Sequence, residues 1–122
     1  MKLHASTPSG ANTITGYGDD YVSINGARRE SNVIVTPSEV RAWSARDFAH
    51  LTVENFSELA RLGVEIVLLG TGARQRFPHR RLTKPLGEAK IGLEVMDSKA
   101  ACRTYNILVA EERRVALALL FE

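Results

Sequence analysis

The chain is short of the residues that usually declare a chemistry. Its 122 residues hold one cysteine, Cys102, and three histidines. One thiol cannot close an intrachain disulfide and cannot build a cysteine-rich metal site; a reducing compartment is compatible with that usage. His4, His50 and His79 are scattered, with no i,i+4 pair and no acid-rich neighbourhood, so neither a metal nor a cofactor is expected. Met1–Pro8 lacks the apolar core of a secretory signal. No run approaches the roughly 18 apolar residues of a membrane-spanning helix. The longest, Val115–Phe121, has a strand's length. The expected location is therefore cytoplasmic, with any role at a membrane peripheral. An excess of one charge is also missing. Sixteen Lys+Arg against fourteen Asp+Glu leave a net +2, too little to argue for nucleic acid or a membrane surface by itself. Only local clustering can carry an argument from charge.

What is present is ordinary for a folded domain. Hydrophobic residues make up 44% and charged residues 25%, so disorder is excluded and one core is affordable at this length. Residues 1–12, small and polar with Pro8 and Gly10, read as a flexible N-terminal arm. Residues 13–122 read as a single α/β domain. Within it, Thr13–Trp43 alternates short apolar runs with turn signals, among them Asn25-Gly26, which suits a tight hairpin. That stretch predicts a β-rich N-terminal portion of antiparallel strands.

The grammar then changes. Thr52 can cap a helix whose Val53, Phe56, Leu59 and Ala60 form one face, and Gly63 is placed to close it. Val64–Leu69 follows as a short buried strand ending on Gly70-Thr71-Gly72. Thr83-Lys84-Pro85 predicts the opening of a short helix, weakened by Gly87. Gly92–Met96 predicts a second buried strand. Asp97 or Ser98 caps a helix with Ala101, Tyr105, Leu108 and Glu112 on one stripe. Val115–Phe121 is the last strand and, being apolar throughout, a central one. Helix, glycine and buried strand in alternation specify an α/β fold.

The candidate site is the loop after Val64–Leu69. Gly70, Thr71 and Gly72 are followed by five cations, Arg74, Arg76, Arg80, Arg81 and Lys84, with no acid before Glu88. Glycine N–H groups and guanidinium forks can grip an anion or an acidic partner at a strand end. The plainer alternative is that the glycines turn the chain and the arginines form a solvated face. Asp97, Tyr105 and Asn106 would add a pocket if the two strand ends are neighbours. A dinucleotide fingerprint fails, because Gln75 stands where its third glycine belongs. A phosphate-binding P-loop fails for want of Gly-Lys-Ser/Thr. Arg76-Phe77-Pro78-His79-Arg80-Arg81 carries no recognised nucleic-acid motif, so no nucleic-acid partner is expected. Cys102 reads as a small buried thiol rather than a nucleophile. Trp43 and Phe48 read as core, or as a partner-facing aromatic pair. Glu111 and Glu112, adjacent on a helix, read as sources of salt bridges rather than an acid/base pair. No catalytic residue emerges, and whether the chain is an enzyme stays open on this ground.

From Val64 onward the residues form a familiar order. The strand and Gly70-Thr71-Gly72 lead to Phe77-Pro78 and Gly92-Leu93-Glu94-Val95-Met96-Asp97. Ala100-Ala101-Cys102-Arg103-Thr104-Tyr105-Asn106-Ile107-Leu108 and Glu111-Glu112-Arg113-Arg114 follow. This resembles the Mth938-like family, small domains of unknown biochemical activity that include the mitochondrial complex I (NADH:ubiquinone oxidoreductase) assembly factor three. The Met96–Asn106 block is its most specific part. One departure is Glu112, where glycine is expected in many members. The resemblance implies a three-layer α/β fold with a mixed central sheet of about five strands and an added β-rich portion. It supplies no agreed catalytic residues. It implies a non-enzymatic interaction or assembly-factor-like role, with a membrane-complex subunit or another assembly factor as partner. The alternative is a small-molecule or anion binder, or an uncharacterised enzyme, using the Gly-Thr-Gly and arginine loop.

Overall fold

The computed structural model describes residues 10–122. In chain order its elements are β1 (Ile14–Tyr17), β2 (Val22–Ile24), β3 (Ala27–Arg29), β4 (Val33–Val35) and β5 (Val40–Ala42). Then come α1 (Val53–Ala60), β6 (Ile66–Gly70), α2 (Arg80–Glu88), β7 (Gly92–Met96), α3 (Ser98–Ala110) and β8 (Val115–Leu119). Five strands form one mixed sheet of order β5-β4-β8-β6-β7. β6 lies parallel to both β7 and β8, while β4 is antiparallel to β8 and β5. β8 is central and buried along its whole length, as its unbroken apolar sequence predicts. β1, β2 and β3 form a separate antiparallel meander, turned at Asn25 and Gly26, both with positive φ.

Alternation along the strands builds two cores. Val115, Leu117 and Leu119 of β8 face one way with Leu68, Val33 and Val35, under α3 and the meander. Ala116, Ala118, Val67, Leu69 and Ile34 face the other way, under α1 and α2. The result is the three-layer α/β architecture. α1 is held at its start by a reciprocal cap. Thr52 Oγ1 accepts from Asn55 N–H, and Asn55 Oδ1 accepts from Thr52 N–H.

Several details depart from the sequence reading. The β-rich stretch is divided, because β4 and β5 join the central sheet and only β1–β3 stand apart. α2 starts at Arg80 rather than at Thr83, since His79 Nδ1 accepts the Arg81 N–H and supplies the missing cap. Pro85 lies inside the helix, beyond its first turn, and so costs the backbone bond its N–H would have made to Arg81 O. β7 is an edge strand rather than a buried one, with Gly92 and Glu94 exposed. The buried stripe of α3 is Ala101, Cys102, Tyr105 and Val109. Glu112 lies beyond that helix at φ 60°, where its N–H bonds to Val109 O and Arg113 N–H to Leu108 O. This left-handed closing turn explains why glycine is expected there. Glu111 and Glu112 are exposed and make no ion pair among the described residues. Of the N-terminal arm, residues 1–9 lie outside the described residues. Asn12 is bonded to the backbone of Thr36 and Pro37.

Candidate functional site

β6 brings Gly70-Thr71-Gly72 against the first turn of α3 and the end of the chain. A Cβ on Gly70 would lie 2.9 Å from Ser98 Cα and 2.7 Å from a Leu119 methyl. Gly72 has φ 91°, and a Cβ there would lie 2.6 Å from the Glu122 carbonyl oxygen. Both glycines are therefore accounted for by close backbone approach.

The loop's donors already have acceptors inside the protein. Thr71 N–H donates to Met96 O (3.0 Å), Gly72 N–H to Ser98 Oγ (2.8 Å) and Ala73 N–H to Glu122 O (3.2 Å). Ser98 Oγ in turn donates to Leu120 O (3.0 Å). The Thr71 hydroxyl is buried, accepting from Arg76 N–H and donating to Arg74 O. An oxyanion cradle needs N–H groups aimed at open space, and these three are not.

The five cations divide. Arg76 folds inward: its Nη2 lies 2.9 Å from Glu122 Oε1 and donates to Thr71 O at 2.8 Å. Its guanidinium carbon sits 4.5 Å from the centre of the Phe48 ring. Glu122 Oε2 accepts from Phe48 N–H, so one cluster ties the strand-end loop, the chain end and the Phe48 segment together. Phe48 is half-buried under Arg76, while Trp43 is buried and meets Phe56 edge-on at 6.4 Å. Arg74, Arg80, Arg81 and Lys84 are exposed and make no ion pair among the described residues. Phe77, between them in sequence, is 70% exposed.

Asp97 does meet the glycine loop. It shares with Gly72, Ser98, Lys99 and Glu122 a cleft of about 330 Å³. Asp19 also lines it, 2.9 Å from Lys99 Nζ, and that hydrogen bond holds the Asp19 carboxyl below its ordinary value. Lys99 is taken by Asp19, Glu122 is paired with Arg76 and Asp97 adds a further negative charge, so this cleft is unsuited to an anion. Asp97 Oδ1 accepts from Ala100 N–H and so caps α3. Tyr105 and Asn106 lie further along that helix, away from the cleft. Tyr105 is buried and donates its hydroxyl proton to Asn12 O, and Asn106 bonds both backbone groups of Ile14. Cys102 is also buried, and burial pushes its thiol up to about 12. His50 bonds Asp47 and His79 caps α2. Among the described residues no three His, Cys, Asp or Glu side chains gather to hold a metal. No described helix is long and apolar enough to cross a membrane.

Sequence reasoning missed Glu122 as the partner of Arg76, and Gln75, whose amide donates to Val95 O at 2.8 Å. Neither pairing has a local signal. The charged residue inside the Gly92–Met96 run, Glu94, was the available sign that this strand has a solvated side.

The fold is shared with solved structures. A crystal structure of a Bordetella parapertussis protein superposes with a TM-score of 0.87 at 39% identity, over 94% of this chain and all of that one. A solution structure from Bordetella pertussis, described as a Mth938-like domain, gives a TM-score of 0.83 at 34% identity, over 99% of this chain and 92% of that one. In sequence, the chain is 32% identical over 92% of its length to the Danio rerio protein named NADH dehydrogenase [ubiquinone] 1 alpha subcomplex assembly factor 3. It spans 59–66% of the length of that protein and its frog and rat counterparts. With residues 14–120 matching the family profile, the chain belongs to the family described as proteins of unknown function, DUF498/DUF598.

Proposed function

We propose that the chain is a non-enzymatic protein-interaction module that acts as an assembly factor in the biogenesis of a respiratory membrane complex. Its partner is a subunit of that complex or another assembly factor, met in the cytoplasm or peripherally at the inner membrane. One observation carries the reading: Arg74, Arg80, Arg81 and Lys84 stand exposed with no carboxylate of the described residues to pair them, beside the exposed Phe77. Exposed cations around an aromatic anchor suit a protein partner of opposite charge. The relatives named as NADH dehydrogenase assembly factors give that partner its class. The glycine loop then serves as the rigid base from which the charged segment departs.

The test is genetic and biochemical. Cells carrying this gene are compared with a deletion strain for assembled NADH dehydrogenase, by native gel and by NADH oxidation in membranes. The deletion is expected to lower both. The wild-type gene restores them, and a gene carrying Arg74→Glu, Arg80→Glu and Arg81→Glu does not. Unchanged dehydrogenase in the deletion strain would refute the proposal. Arg76→Glu is unsuitable for this purpose, because it breaks the internal pair with Glu122.

A further inference from the structure

We infer that the free edge of β7, with the groove between it and α2, takes an extended acidic segment of a partner protein as an added strand. This rests on the interaction-module reading and gives it a surface. The backbone comes first. Gly92 N–H donates to Glu65 O and Met96 O accepts from Thr71 N–H, so Gly92, Glu94 and Met96 direct their polar groups toward β6. The parallel register therefore turns those of Leu93 and Val95 outward. The Gln75 amide already covers Val95 O. Among the described residues a row remains open: Leu93 N–H, Leu93 C=O and Val95 N–H.

The other sheet edges are more heavily protected than this one, whose one charge is Glu94. β3 and β5 are three residues long and charged. β3 exposes Arg28 and Arg29, and β5 holds Arg41 against Glu39 at 2.8 Å. β1 is bonded at Ile14 by Asn106 of α3. β7 has five residues, and Leu93 and Val95 are only half-buried. Beside it lies a groove of about 500 Å³, in which Phe77, Pro78, Leu93 and Val95 are apolar while Arg80 and Glu94 carry opposite charges. It continues into a second hollow of about 410 Å³ along Lys84 and Ile91.

An added strand gains affinity from main-chain bonds and selectivity from the side chains that alternate into such a groove. Apolar positions would meet Phe77 and Leu93. Acidic positions would meet α2, which carries Arg80, Arg81 and Lys84 against Glu88 alone. The same charges disfavour a second copy of this chain. Two-fold pairing of β7 with itself would set two cationic α2 rows side by side.

The probe is a displayed library of short random peptides, selected against the full chain. Enriched peptides are synthesised and titrated into isotope-labelled protein. Selected sequences are expected to alternate apolar and acidic residues and to slow hydrogen exchange at the Leu93 and Val95 amides. Arg80→Glu with Lys84→Glu should weaken them about tenfold or more, with an unchanged melting temperature. Val95→Pro removes one outward N–H and leaves the β6 ladder intact, and should also cost about tenfold. Should that variant fold poorly, the charge variant still decides. An empty selection, basic peptides, or unchanged exchange at Leu93 and Val95 overturns the inference. Concentration-dependent protection of those amides without peptide also overturns it and assigns the edge to a second copy. The two proposals fail separately. If Val95→Pro still restores the dehydrogenase in the deletion strain, strand addition fails while the assembly role stands.

Discussion

Replacing Gly72 with alanine separates a packing role for the Gly-Thr-Gly loop from a ligand-cradling one. At φ 91° the new Cβ is in a backbone region that L side chains resist, a cost of about 1–2 kcal/mol. It would also sit 2.6 Å from the Glu122 carbonyl oxygen, so the chain end must shift. That shift stretches the Ala73 N–H bond to the same oxygen, worth about 1 kcal/mol. The sum is about 2–3 kcal/mol. For a chain of 122 residues the unfolding entropy makes each kcal/mol about 4 °C of melting temperature, so a drop of about 8–12 °C is expected. Gly70→Ala, which meets the Ser98 backbone and Leu119, should cost about 1–3 kcal/mol by overpacking. Thermal and urea unfolding followed by circular dichroism measure both. A Gly72→Ala protein melting within about 2 °C of wild type would refute the packing argument and return the loop to the list of ligand sites.

Other expectations follow from the same contacts. Asn106→Ala leaves Ile14 N–H and C=O without their partner, and should lower stability by about 2–3 kcal/mol while speeding exchange at the Ile14 amide. Cys102→Ala should flatten the alkaline side of the stability profile. The folded thiol is raised from 9.0 to about 12, so its contribution is complete below pH 9.0 and lost as pH climbs toward 12. Urea midpoints measured on either side of pH 9.0, for wild type and variant, test the sign. Glu112→Gly should stabilise the chain by about 1 kcal/mol, because Glu112 closes α3 at φ 60°; equal melting temperatures would count against that.

Much of the architecture is legible in the sequence because the deciding signals are local. β8 is central since nothing polar interrupts it, and α1 starts just after Thr52 since a capping hydroxyl precedes an apolar stripe. The positive φ of Gly63 and Gly26 is one that glycine adopts without steric cost. What resists sequence reading depends on distant partners. Whether Gly92–Met96 is an edge or a centre is set by strand order, which no single strand encodes. His79 as a cap moves the start of α2 back to Arg80, because a ring nitrogen does the work usually given to a hydroxyl. Tyr105 and Asn106 read as pocket residues while β1 is unplaced. Once β1 lies across α3, their polar atoms are taken up by Asn12 and Ile14.

The arginine run shows the same limit in terms of charge. In the sequence it is one block of five cations, and the block invites one anionic ligand. In three dimensions Glu122 draws Arg76 inward, and the remaining cations are left on the segment that leads into α2 and along it. A compact anion needs convergent donors, and the donors at Gly72 and its neighbours converge on the protein's own oxygens. A strand-shaped acidic partner needs something else: a line of open backbone bonds beside a row of separated charges. β7 and α2 supply that line and that row side by side. The cations left unpaired among the described residues, the exposed Phe77 and the open edge are then three consequences of one arrangement, and a partner that satisfied only one of them would leave the other two unexplained.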